Sequence, residues 1–353
     1  MSNSRRSFFT DSIKGVLGFS IGFPGFPFST TSAGANGNKI KKIPTATGTI
    51  NSDQLGITLM HEHVLNLLPP IPAGKEQETI DHAVHMLRDA ERVGIDTIVD
   101  LSPVRNVKMI QAAAAQVPVN IILATGSYLQ RLMPERIVKM SEKEFKDHMR
   151  LELIEGIEGT GIRPAIIKVA GNNTPLTPWE KEKFRAAAQI QKELDVPIGT
   201  HAIFNPGEQF DLLVENGANP ARLFFSHIEA EFGWGGQSKE QIGKELLRIA
   251  KAGGNLLFNN FGYEFDTPWE DLVYLMRFLC DNGCEKKVMT SMDTYWQWKN
   301  GKIITNVEDR HPHTSLKTFA YAMTDAVPAM LKAGFSDKEI KQFLVHNPSR
   351  FFS

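Results

Sequence analysis

Six residues of types that bind metals or move protons stand near the downstream ends of apolar runs. They are His61 and His63 in ITLMHEHV, Lys168 in RPAIIKVA, His201 in VPIGTHA, His227 in RLFFSH and Asp293 in KKVMTSMD. In a strand, residues two apart share a face, so His61 and His63 aim the same way and Glu62 the other. Such groups are costly to bury in apolar strands without a partner. Four imidazoles, a carboxylate and a lysine suit zinc, and alternatively manganese, iron or cobalt. Each residue taken alone has a plainer reading. A strand histidine is commonly a hydrogen-bonded core residue, Lys168 could form a Schiff base, and Asp293 could cap the segment after it. The set is more specific than its members.

Positioning these residues at one place requires the right elements. Eight runs are near-continuously apolar: 57–64, 96–103, 119–128, 163–170, 196–202, 222–227, 254–260 and 286–293. That pattern belongs to strands of a parallel sheet covered on both faces. Helical stretches lie between them. Ser141 with Glu144, Thr177 with Glu180, Ser238 with Gln241 and Thr267 with Glu270 fit the capping box, and Pro178 and Pro268 fit a first helical position. A helix follows Lys75, with Ile80, Val84, Leu87 and Val93 on one face. Ser336 with Glu339 predicts a last short helix ending at His346. Strand then helix, eight times over, predicts an α/β fold of the (β/α)8 TIM-barrel type, whose chemistry sits at the C-terminal face of the strands. The open doubly wound alternative lacks its glycine-rich first turn. The stretch from Thr294 to Pro312, with Trp296 and Trp298, should lie over that face.

Composition agrees with one globular domain. The chain has 353 residues, 42% hydrophobic and 22% charged, with net charge −1, so no basic stripe marks a nucleic-acid footprint. Two cysteines, Cys280 and Cys284, exclude a disulfide framework and read as plain thiols near a helix end. The N-terminus differs. Arg5-Arg6 before Phe8-Phe9, an apolar stretch rich in Gly and Pro, and Ala33-Gly34-Ala35 fit a bacterial twin-arginine signal over residues 1–35. The apolar part is too short to span a bilayer, so no stable membrane anchor is expected. A barrel domain over 36–353, periplasmic or secreted, follows from that reading.

The motifs GTINSDQLGITLMHEHV, GIEGTGIRPAIIKVA, VPIGTHA, FFSHIEA, VMTSMD and NPSRFFS occur in that order from Gly48 to Ser353. Together they resemble the phosphotriesterase-like branch of the amidohydrolase superfamily. The resemblance implies two divalent metal ions, zinc favoured. His61, His63 and Asp293 would bind the more buried ion, and His201 and His227 the more exposed one. Lys168 would be an N6-carboxylysine bridging both. A hydroxide shared by the metals would attack, with Asp293 as proton acceptor. It also implies a small-molecule ester, lactone or phosphoester substrate, and allows a homodimer. Tyr128 resembles a pocket tyrosine of lactonase-like members. Asn259-Asn260 stands where those members carry Asp-Arg, and Ser226-His227-Ile228-Glu229-Ala230 departs from the usual Gly-His followed by acidic residues. Tyr128, Asn260, Trp296 and Trp298 are the expected substrate-pocket residues.

The expected activity is hydrolysis of a lactone or carboxylic ester. Organophosphate phosphotriester hydrolysis is the alternative, and a catalytically idle, metal-retaining binding protein is the reading from another class.

Overall fold

The computed structural model describes residues 40–65, 70–230, 237–262, 267–305 and 318–353. The expected signal over 1–35 lies outside the described residues.

Eight parallel strands form the central sheet: β3 (Thr58–Glu62), β4 (Thr97–Asp100), β5 (Asn120–Gly126), β6 (Ile166–Ala170), β7 (Ile198–His201), β8 (Leu223–Ser226), β9 (Asn255–Phe258) and β10 (Val288–Thr290). They lie in chain order, each paired with the next. The seam between first and last strand is closed just beyond them. Asp293 N–H donates to His61 O (3.1 Å), and His63 N–H to Thr294 O (3.0 Å). The fold is therefore a (β/α)8 barrel. Its strands are buried almost throughout, which is why the sequence shows unbroken apolar runs.

Helices α1 (Glu76–Arg92), α2 (Val107–Ala114), α3 (Glu135–Val138), α4 (Glu142–Glu155), α5 (Pro178–Leu194), α6 (Pro206–Glu215), α7 (Lys239–Lys251) and α8 (Trp269–Asp281) intervene. The boxes at Ser141, Thr177, Ser238 and Ser336 form, each hydroxyl accepting the N–H three residues on. The expected box at Thr267 does not. Its hydroxyl donates to Glu229 O (2.9 Å), and α8 starts after Pro268 with no side-chain cap. The last helical stretch also runs past His346. A π turn over Gln342–His346 leads into a terminal helix, Asn347–Phe352.

Two hairpins lie outside the predicted pattern. β1 (Lys42–Thr45) pairs with β2 (Gly48–Asn51) ahead of the barrel. β11 (Trp296–Lys299) pairs with β12 (Lys302–Thr305) after it, within the stretch read as a loop. Ile43 of β1 joins the C-terminal Phe351 and Phe352 in the same apolar cluster as Met60, Val99, Ile122, Phe224, Leu257 and Met289 of the strands. Arg222, just before β8, donates to Ser353 O (2.6 Å), so this packing lies at the N-terminal end of the strands. The opposite end is left for chemistry. Cys280 and Cys284 are free thiols. No helix among the described residues is long and apolar enough to cross a membrane.

Candidate metal centre

All six predicted residues lie at the C-terminal end of the barrel, and the contacts among them are direct. His61 is in β3 and His63 one residue past it, with ring centroids 5.5 Å apart. Lys168 is central in β6, and its Nζ is 3.4 Å from His61 Nε2. His201 ends β7 and His227 follows β8, with rings 4.2 Å apart. The His227 ring is 5.1 Å from that of His61. Asp293, past β10, joins them. Its Oδ1 is 3.2 Å from His63 Nε2 and 3.6 Å from His61 Nε2, and its Oδ2 is 3.9 Å from His227 Nε2.

The backbone is bent to achieve this. His227 (φ 62°) and Asp293 (φ 49°) both adopt the left-handed conformation, uncommon for non-glycine residues and concentrated at functional sites. Beside Lys168, Gly126 (φ 118°) ends β5. An added Cβ there would lie 2.0 Å from Lys168 O, so only glycine lets Ser127 N–H reach that carbonyl (2.8 Å). Glu62 points away from the cluster and clasps the seam. Its carboxylate accepts from Ser291 Oγ (2.6 Å), Met292 N (2.7 Å) and Thr294 N (2.6 Å). Ser291 Oγ in turn accepts His61 N–H (2.9 Å).

Burial sets the charge state. It holds His61 and His201 well below the usual imidazole range, with nearby Lys168 and His227 adding to the effect. His227 is pulled down to about 4 by burial, against the attraction of Asp293. Burial also pulls Lys168 down to about 7, again opposed by Asp293. At neutral pH these three imidazoles are uncharged.

Such a donor set fits a cation. Two ligand atoms bound tetrahedrally to one zinc at about 2.0–2.1 Å are roughly 3.3 Å apart. The separations of Asp293 Oδ1 from the two β3-end imidazoles bracket that figure from just below to slightly above. His61, His227 and Asp293 each offer an atom within 4.8 Å of the others. His201 Nε2 is buried without a hydrogen-bond partner, and an unsatisfied buried nitrogen of this kind is explained by an ion.

The four expected pocket residues divide. Tyr128 is half-buried, with its ring edge-on to His201 at 5.2 Å. Asn260 is buried beside the centre, with Oδ1 3.4 Å from His227 Nδ1 and Nδ2 bonded to Thr267 Oγ1. Trp296 and Trp298 do not reach the cluster. Trp296 is fully buried, its indole donates to Val64 O (3.1 Å), and its ring packs on His82 of α1 (4.6 Å). Trp298 donates to Thr79 of α1 (3.0 Å). Their hairpin is fastened to α1 by these rings, so packing rather than a pocket wall is their place.

Two groups went unread in the sequence. Glu229 is fully buried, its Oε1 accepts the N–H groups of Asn259 and Asn260 (2.6 Å each), and burial pushes its carboxyl up to about 7. Asp100 and Ser102 back His63. Asp100 and Ser102, two apart after the apolar pair Ile98-Val99, were the available signal.

Against this geometry, the phosphotriesterase family model matches residues 41–352. The chain belongs to the phosphotriesterase family. A phosphotriesterase homology protein of Mycobacterium tuberculosis is 30% identical, over 88% of this chain and 97% of the relative. An N-acetyltaurine hydrolase of Danio rerio is 25% identical, over 88% and 98%. An aryldialkylphosphatase of Saccharolobus solfataricus is 25% identical, over 86% and 97%. Among solved structures, an organophosphorus hydrolase from Deinococcus radiodurans is 28% identical and superposes with TM-score 0.76, covering 90% of this chain and 98% of that one. A protein described as organophosphate hydrolysis activity engineered from a weak promiscuous lactonase template superposes at 0.77, with 27% identity, over 89% and 100%. Members of the phosphotriesterase family are hydrolases that depend on a binuclear metal centre.

Proposed function

We propose that this phosphotriesterase-family protein hydrolyses a small-molecule ester, with a lactone or carboxylic ester favoured, at two divalent metal ions. His61, His63 and Asp293 hold one ion, His201 and His227 the other, and carboxylated Lys168 links them. The observation that carries the reading is the Asp293 carboxylate among three imidazole nitrogens, with the buried Lys168 amine alongside.

The chemistry of Lys168 supports its role. An ammonium would repel cations, but an amine pulled down to about 7 is substantially unprotonated at neutral pH and can add carbon dioxide. The nitrogen bonds the carbon of carbon dioxide and gives up one proton, which leaves an anion with two oxygens in place of a neutral amine. Two divalent ions in such a site activate water and polarise the bond under attack. Asp293, the one carboxylate touching three of the imidazoles, takes up the proton released at its Oδ atoms and returns it to the leaving oxygen. Tyr128, edge-on to His201, flanks the substrate position. The buried barrel floor excludes bulk water from below.

Phosphotriester hydrolysis is the second reading, favoured by the likeness to the organophosphorus hydrolase. An amide substrate gains weight from the N-acetyltaurine hydrolase relative. We further propose export by the twin-arginine route with loss of residues 1–35; the intact mass of protein recovered from a bacterial periplasm tests that.

The deciding experiment counts metal per chain in purified protein, then runs lactone, carboxylic ester, phosphotriester and N-acetyl amide panels. Two equivalents, a carbamate signal from isotope-labelled bicarbonate and lactone or ester turnover support the proposal. Turnover confined to another panel moves the substrate class. Two equivalents without turnover favour the binding protein. No metal after reconstitution with metal and bicarbonate ends the proposal.

A further inference from the structure

Behind His63 lies a short chain of polar groups. Asp100, the last residue of β4, is fully buried. Its Oδ1 accepts Ser102 N–H (2.8 Å), and its Oδ2 accepts Val64 N–H (3.0 Å). Ser102 Oγ lies 2.7 Å from His63 Nδ1. His63 Nε2, the other ring nitrogen, is the atom 3.2 Å from Asp293 Oδ1. An imidazole that gives its Nε2 lone pair to a metal keeps its proton on Nδ1, and Ser102 Oγ is placed to accept it.

His61 and His227 lack this arrangement. His61 Nδ1, the ring nitrogen other than the one facing Asp293, is buried without a partner. His227 Nδ1 lies near both an acceptor, Asn260 Oδ1 (3.4 Å), and a donor, Asn259 Nδ2 (3.2 Å), which together set no direction. The Val64 bond also ties the backbone next to His63 to the same carboxylate.

We infer that Ser102, its backbone N–H held by Asp100, is a positioning residue that grips His63 at Nδ1 and turns Nε2 to the metal position beside Asp293. The inference rests on the metal-centre reading above. The ring of His63 is thus held in orientation, and its rotation does not oppose binding.

The test compares wild type, Ser102→Ala and Ser102→Thr, using zinc as the probe in a chelator competition titration. NMR of isotope-labelled histidine in the zinc-loaded proteins is the second readout. Loss of an outer partner to a ligating histidine typically weakens metal binding about 10–100-fold. The alanine variant should bind zinc at least about 10-fold more weakly, and threonine should restore most of that. The His63 Nδ1–H signal should be slowly exchanging in wild type and threonine and lost in alanine. Equal zinc affinity in the alanine variant, or a proton found on Nε2 of His63, overturns the inference while leaving the metal centre standing. Wild type that takes up no zinc overturns both.

Discussion

Lys168 Nζ lies 3.4 Å from His61 Nε2, and each residue is 1% exposed. Burial disfavours an added charge on either group and pulls the Lys168 amine down to about 7. The condition that the folded site favours is the uncharged one.

That condition makes stability depend on pH in the metal-free protein. Lys168 titrates near 10.5 when exposed and at about 7 in the fold. Between those values the unfolded chain binds a proton that the folded chain does not, so stability rises with pH across the window and is lost as pH falls through the lower value. After chelation, Lys168→Met should flatten this part of the Tm–pH curve and raise Tm near neutrality. Parallel curves for variant and wild type would show that no such penalty exists.

Asp293→Asn keeps the shape of the side chain and removes its negative charge. Metal content should fall, and turnover of the best substrate should drop by about 10²–10⁴-fold, the usual size of a general-base loss. Metal analysis and kcat measured on the same preparation check this. Full metal with full kcat would remove Asp293 from the mechanism.

Gly126→Ala places a methyl group 2.0 Å from Lys168 O at a φ of 118°. Strain of this kind costs on the order of 1–3 kcal/mol, and the displaced Lys168 backbone should also lower metal occupancy. Denaturant melts with metal counts read both effects.

Glu62→Gln leaves the seam one acceptor short, because an amide nitrogen cannot accept. Bonds to a charged group contribute about 1.5–3 kcal/mol each, so a loss of at least about 2 kcal/mol is expected. An unchanged melting curve would mean the seam is held by backbone bonds alone.

Trp298→Phe tests the hairpin assignment. Loss of the bond to Thr79 should lower stability by about 1 kcal/mol and leave KM unchanged. A KM shift without a stability change would return Trp298 to the substrate pocket.

The barrel and its six clustered side chains are legible because burial on two faces leaves one clear mark, an apolar run interrupted only where a group has work to do. His61 and Asp293 interrupt such runs. Thr267 shows where this legibility stops. Its sequence fits a helix cap, but the Glu229 carbonyl, distant in sequence, takes the hydroxyl. Trp296 and Trp298 show the same limit, since an aromatic residue after a strand has the same signature whether it packs on a helix or on a ligand. β1 and β2 are short and half polar, and their pairing is set by the barrel end they cover. Ser102 lies in plain view, but only the fold brings its hydroxyl to His63 Nδ1.

The Glu62 clasp joins groups 230 residues apart along the chain. His61 and His63 come from the first barrel strand to be synthesised and Asp293 from just past the last, so their shared corner cannot exist on a nascent or truncated polypeptide. A ribosome-bound fragment holding the first four strands has both β3-end histidines and the lysine but no carboxylate opposite them. An ion held at this corner would therefore require a chain synthesised at least through Asp293 and folded far enough for the two ends of the barrel to meet.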